Sequence, residues 1–67
     1  MNIKVGQKFE YHYLDNVCRG RVLRIYSDDI GEMVVDVEYE NGNRDTFYNS
    51  SFIGKNLRYE KIVLLDD

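Results

Sequence analysis

Met33-Val34-Val35-Asp36-Val37-Glu38-Tyr39-Glu40-Asn41-Gly42-Asn43-Arg44 is the stretch that decides the fold of this chain. Met33, Val35, Val37 and Tyr39 alternate with Val34, Asp36, Glu38 and Glu40, the period of two that gives a strand one apolar and one polar face. Asn41-Gly42 supplies residues that adopt positive φ in a tight turn, so this strand is predicted to fold back antiparallel onto Arg44 to Tyr48.

Working toward the N-terminus, Ser27-Asp28-Asp29-Ile30-Gly31 reads as a turn and Val17 to Tyr26 as a second long strand. Cys18, Gly20 and Val22 share one face of it and Arg19 and Arg21 the other. Ile25 joins the apolar face only if the phase shifts near Leu23-Arg24, as a bulge would make it do; Gly20 is a second candidate for a bulge or tight bend. Asp15-Asn16 marks the preceding turn. Phe9, Tyr11 and Tyr13 alternate with Glu10 and His12 in a first strand fed by a turn at Val5-Gly6. Beyond Tyr48, residues 49–54 suit a single 3₁₀ turn, and Leu57 to Val63 a short last strand. Five strands with turns between them predict an all-β chain closed into a small SH3-like barrel rather than a sandwich.

Sixty-seven residues make one domain, 1–67, with room for one thin core. With 43% hydrophobic and 31% charged residues, six Tyr and three Phe, the composition is that of a globular chain. Cys18 has no partner for a disulfide, and one Cys with one His (His12) falls short of a zinc ligand set, so no metal or cofactor is expected. No run reaches the length of a membrane span and the N-terminus lacks a signal-peptide core, which predicts a cytoplasmic protein. A net charge of −3 excludes a dominant field for nucleic acid, though a local basic patch remains compatible with it.

The order of elements resembles a Tudor domain, one of the SH3-like barrels. Lys4-Val5-Gly6-Gln7-Lys8 is similar to the opening of such domains, Tyr13 falls where the first strand carries a cage aromatic, Arg21-Val22 lies in the second strand, and Val35 to Arg44 resembles their hairpin. The resemblance covers roughly residues 4–53. It implies an aromatic cage for methylated Arg or Lys in which Tyr13, Tyr39 and Asn43 match the pattern, while Cys18 and Asn41 stand where the family has aromatics.

Tyr11, Tyr13, Tyr26, Tyr39, Phe47, Tyr48 and Tyr59 are the aromatics that could form a stacking platform, with Phe9, Phe47 and Phe52 assigned to the core. Tyr13, Tyr39, Asn43 and Tyr48 are the expected ligand-binding set of a non-enzymatic module for a protein or peptide partner. One alternative is a nucleic-acid-associated barrel of the KOW or Sm-like kind, using Arg19, Arg21, Arg24 and Lys55 on phosphates. Against it stands cross-strand pairing of Arg19 or Arg21 with Asp36 or Glu38. A third is a small bacterial or phage accessory or inhibitor protein whose acidic strip, Asp36, Glu38 and Glu40, engages a basic partner. Catalysis is not expected, because there is no companion His for the carboxylates, no Gly-rich phosphate loop and no nucleophile elbow. His12 is expected to face solvent and Cys18 to be a small buried hydrophobe. A monomer is expected, or a weak homodimer through the edge strand Leu57 to Val63.

Overall fold

Five strands form where the period-two patterns fall: β1 Lys8–Tyr13, β2 Asn16–Ser27, β3 Met33–Tyr39, β4 Arg44–Tyr48 and β5 Glu60–Leu64. They are seen in a computed structural model that describes residues 3–48, 52 and 58–65. All pairings are antiparallel, in one sheet of order β4-β3-β2-β1-β5. β4 and β5 are therefore its two edges. The last strand begins later than expected, at Glu60, and the expected 3₁₀ turn over 49–54 lies outside the described residues except for Phe52.

The register explains which side chains meet. Phe9 lies opposite Gly20 and Leu64, Val22 opposite Val37, and Val35 opposite Ile25 and Phe47, so all of these share one face. Phe9, Val22, Val35, Val37 and Phe52 are buried there; Ile3, Tyr11, Ile25, Tyr39, Phe47, Ile62 and Leu64 pack around them. Each fully buried side chain of this kind contributes about 1.5–3 kcal/mol. The sheet is strongly curled. Tyr11 of β1 and Phe47 of β4 are three strand spacings apart, about 14 Å in a flat sheet, yet their ring centroids are 6.0 Å apart. Phe52 contacts both Phe9 and Phe47, at 5.1 and 5.5 Å between centroids.

The phase shift needed to bring Ile25 inward occurs between Val22 and Arg24, where β2 carries one extra residue against β3. Gly20 is not part of that bulge. It sits in register between Phe9 and Tyr39, where an added Cβ would lie 2.6 Å from the Glu38 carbonyl oxygen and 3.1 Å from Phe9 Cζ. Its role is close approach of β3 to β2.

Two turns differ from expectation. In the β3–β4 hairpin only Gly42 has positive φ (89°), and the loop closes through Gly42 N–H to the Tyr39 carbonyl and Tyr39 N–H to the Asn43 carbonyl. This is a three-residue loop with one left-handed position instead of two. The β1–β2 turn is centred on Leu14-Asp15, not Asp15-Asn16, with Leu14 at φ 55°. The 27–31 turn forms as expected: the Asp28 carboxylate accepts from Ile30 and Glu32 N–H, and Gly31 takes φ 84°. Phe47, assigned to the core, is only half-buried, because β4 is an edge. No helix among the described residues is long and apolar enough to cross a membrane.

Candidate functional site

At one end of the concave face the core gives way to tyrosines. Tyr11 lies opposite Cys18 and Tyr39 opposite Gly20, so the middle strand places only a thiol and a hydrogen between the two rings. They meet across β2 at 6.5 Å with 26° between their planes. Tyr13 leans on Tyr11 at 6.4 Å and is 45% exposed, which leaves a ring face at the rim. Cys18, expected to be buried, is exposed: it lies beyond Gly20, past the last buried core residue of β2.

Two carboxylates edge this cluster. The Tyr11 hydroxyl donates to Glu60 Oε2, and the Tyr39 hydroxyl donates to Asp45 Oδ2 at 3.2 Å. Asp45 also accepts the Thr46 N–H at 2.8 Å and has no cationic partner among the described residues. Burial, then the hydrogen bond to Glu60, pushes the Tyr11 phenol up to about 12. Burial and then the Asp45 charge push Tyr39 up as well. The Glu60 and Asp45 carboxylates add to both shifts, because a phenolate beside a carboxylate is unfavourable.

The convex face is different. Arg19 Nε donates to Glu10 at 2.8 Å, Arg24 bonds Asp36 at 3.0 Å, and Glu38 is shared by Arg21 (3.4 Å) and Arg44 (3.3 Å). Arg21–Glu38 is a pairing anticipated from the strand order, whereas Arg19 turns to its other neighbour, Glu10 of β1. Hydrogen bonds from Arg19 and then His12 hold the Glu10 carboxyl below the usual range. His12 is therefore half-buried against Glu10 rather than fully solvated. Asp36 accepts a further bond from the Thr46 hydroxyl at 2.8 Å, and the arginine pairs neutralise both Asp36 and Glu38 of the acidic strip. Lys55 lies outside the described residues.

Of the expected ligand set, Tyr13 and Tyr39 come together around Tyr11. Asn43 closes the hairpin opposite Tyr39, its carbonyl accepting the Tyr39 N–H at 2.8 Å. Tyr48 does not join them. It lies opposite Val34 on the convex face, in a row Tyr26–Val34–Tyr48 that borders a cleft of about 280 Å³. The phase of β4 dictates this: Phe47 faces inward, so Tyr48 must face outward. Tyr11 belongs to the aromatic set expected from the sequence, whereas Glu60 and Asp45, the partners of the Tyr11 and Tyr39 hydroxyls, do not. Their signal is register, since Asp45 is opposite Val37 and Glu60 opposite Tyr13.

Among the described residues no group of three or more His, Cys, Asp or Glu is placed to hold a metal. No protein-family model, curated protein or solved structure gives a significant match to the chain.

Proposed function

We propose that this chain is a non-enzymatic interaction module, a Tudor-like small barrel whose tyrosine end receives a cationic side chain of a protein or peptide partner. The observation that carries the proposal is the Tyr11–Tyr39 stack with its hydroxyls tied to Glu60 and Asp45. Aromatic rings and two carboxylates converge on one rim, next to an exposed Tyr13. A guanidinium or ammonium is attracted by both, through the ring quadrupole and by simple charge. The β4-β3-β2-β1-β5 order and the large curl are compatible with such a barrel. A cytoplasmic location belongs to the same reading, because an exposed free thiol such as Cys18 suits a reducing compartment.

The convex face supports a phosphate-binding role less well. Arg19, Arg21 and Arg24 each already engage a carboxylate, so a phosphate would have to displace Glu10, Glu38 or Asp36. The test is a Tyr13→Ala, Tyr39→Ala double variant, shown to be folded, measured against Arg- and Lys-bearing peptides. Two rings at about 0.5–2 kcal/mol each should weaken binding at least about five-fold. Full affinity in the double variant ends the proposal.

A further inference from the structure

The cleft of about 280 Å³ on the convex face is built differently from the tyrosine end. Tyr26, Val34 and Tyr48 are in register across β2, β3 and β4 and give it two aromatic walls over an apolar floor, with Asp28 and Thr46 at its borders. Tyr26 and Tyr48 are two strand spacings apart, about 9.6 Å, and neither ring touches another aromatic ring among the described residues. A flat ring in van der Waals contact with both walls needs about 7 Å between them, two contacts of about 3.5 Å. The slot therefore admits one planar group. Val34 is only 6% exposed although it faces outward, because the two walls shade it. Arg24 stacks on Tyr26 at 4.3 Å but borders a different cleft, so it backs that wall from outside.

Asp28 supplies the polar edge. Its Oδ1 accepts the Ile30 and Glu32 N–H groups at 3.0 and 2.9 Å, whereas Oδ2 has no partner among the described residues. A ring that covered Asp28 without donating a hydrogen bond would leave this oxygen unsatisfied. No Lys or Arg among the described residues lines the cleft, so it offers nothing to a phosphate. We propose that the cleft binds a guanine-type nucleoside, its ring stacked between Tyr26 and Tyr48 over Val34 and its N–H edge donating to Asp28 Oδ2. Adenine presents an acceptor where guanine has its ring N–H, so the carboxylate selects against it. A positive charge on the ring, as in 7-methylguanosine, is favoured by both aromatic faces and by Asp28. The site lies on the opposite face of the sheet from the tyrosine end and does not rest on that reading.

The experiment titrates ¹⁵N-labelled protein with 7-methylguanosine, adenosine, guanosine monophosphate and N-acetyltryptophanamide. 7-Methylguanosine should shift the Tyr26, Asp28, Val34 and Tyr48 amides and bind at least about five-fold more tightly than adenosine, and Tyr48→Ala should weaken it by a similar factor. Asp28→Asn keeps an Oδ1 acceptor for the Ile30 and Glu32 N–H groups, so it preserves the turn, and it should abolish the preference over adenosine. Equal binding of adenosine, or a preference that survives Asp28→Asn, overturns the inference. Tighter binding of the monophosphate would assign the cleft to a nucleotide, and tighter binding of N-acetyltryptophanamide to an aromatic side chain of a protein; either overturns it too. So do shifts confined to Tyr11, Tyr13 and Tyr39, or no shifts at all. None of these results alters what Arg peptides do at the tyrosine end, so the two readings fail separately.

Discussion

Gly20→Ala tests the geometry that builds the site. The new methyl would lie 2.6 Å from the Glu38 carbonyl oxygen, about 0.8 Å inside ordinary contact at 3.4 Å, and 3.1 Å from Phe9 Cζ. The oxygen belongs to the β3 backbone, held by the ladders to β2 and β4, and Phe9 is fully buried, so neither neighbour yields freely. Overpacking of this kind costs about 1–3 kcal/mol. In a domain this small, with about 3–5 kcal/mol in total, that is a large fraction. Urea unfolding should show a lower midpoint with an unchanged slope. The control is Gly42, which has open space around its absent Cβ but φ 89°. Gly42→Asn should cost little, since Asn tolerates that conformation, whereas Gly20→Asn should be worse than Gly20→Ala. An unchanged midpoint for Gly20→Ala would refute the close approach, and with it the reason Tyr11 and Tyr39 can meet across β2.

Leu14→Gly should stabilise the protein by about 0.5–1 kcal/mol, the relief of strain less the added chain entropy, and raise Tm by several degrees in a thermal melt. For Tyr11 the unfolded phenol ionises near 10 and the folded one near 12, so its contribution is complete below pH 10 and lost as pH climbs from 10 to 12. Phenolate absorbance should show late steps from Tyr11 and Tyr39, and Tyr11→Phe should remove one of them. Arg24→Ala should lower the urea midpoint only slightly, and by less in high salt, because the Arg24 side chain of the Arg24–Asp36 pair is two-thirds exposed. Cys18 should react with a thiol reagent in the native protein and be shielded by a bound cationic peptide; unaltered reactivity at saturation would place the ligand elsewhere.

Most of the sheet was legible because period-two patterning is a local signal. The clearest strand, residues 33–39, and the phase break near Leu23 could both be read from which side chains had to share a face. Cys18 misled because an inward phase does not guarantee cover; it points to the concave face beyond the end of the core. Tyr48 misled because proximity to a strand end says nothing about which face it takes, and the inward Phe47 fixes that. Asp45 and Glu60 were invisible as site residues because their role depends on the pairing of β4 with β3 and of β5 with β1, a long-range register that no local pattern encodes. Arg19 shows the same limit, since both Glu10 and Glu40 flank it across strands and local spacing cannot choose between them.

The most direct measurement of the central claim is a ¹⁵N chemical-shift titration comparing an Arg peptide with its citrulline counterpart, which keeps the shape and removes the charge, on the native chain and on Asp45→Asn. The Arg peptide should bind with shifts confined to Tyr11, Tyr13, Cys18, Tyr39 and Asp45, the citrulline peptide weakly or not at all, and the variant with reduced affinity. Equal binding of both peptides, or shifts centred on Arg19, Arg21 and Arg24, would contradict that claim.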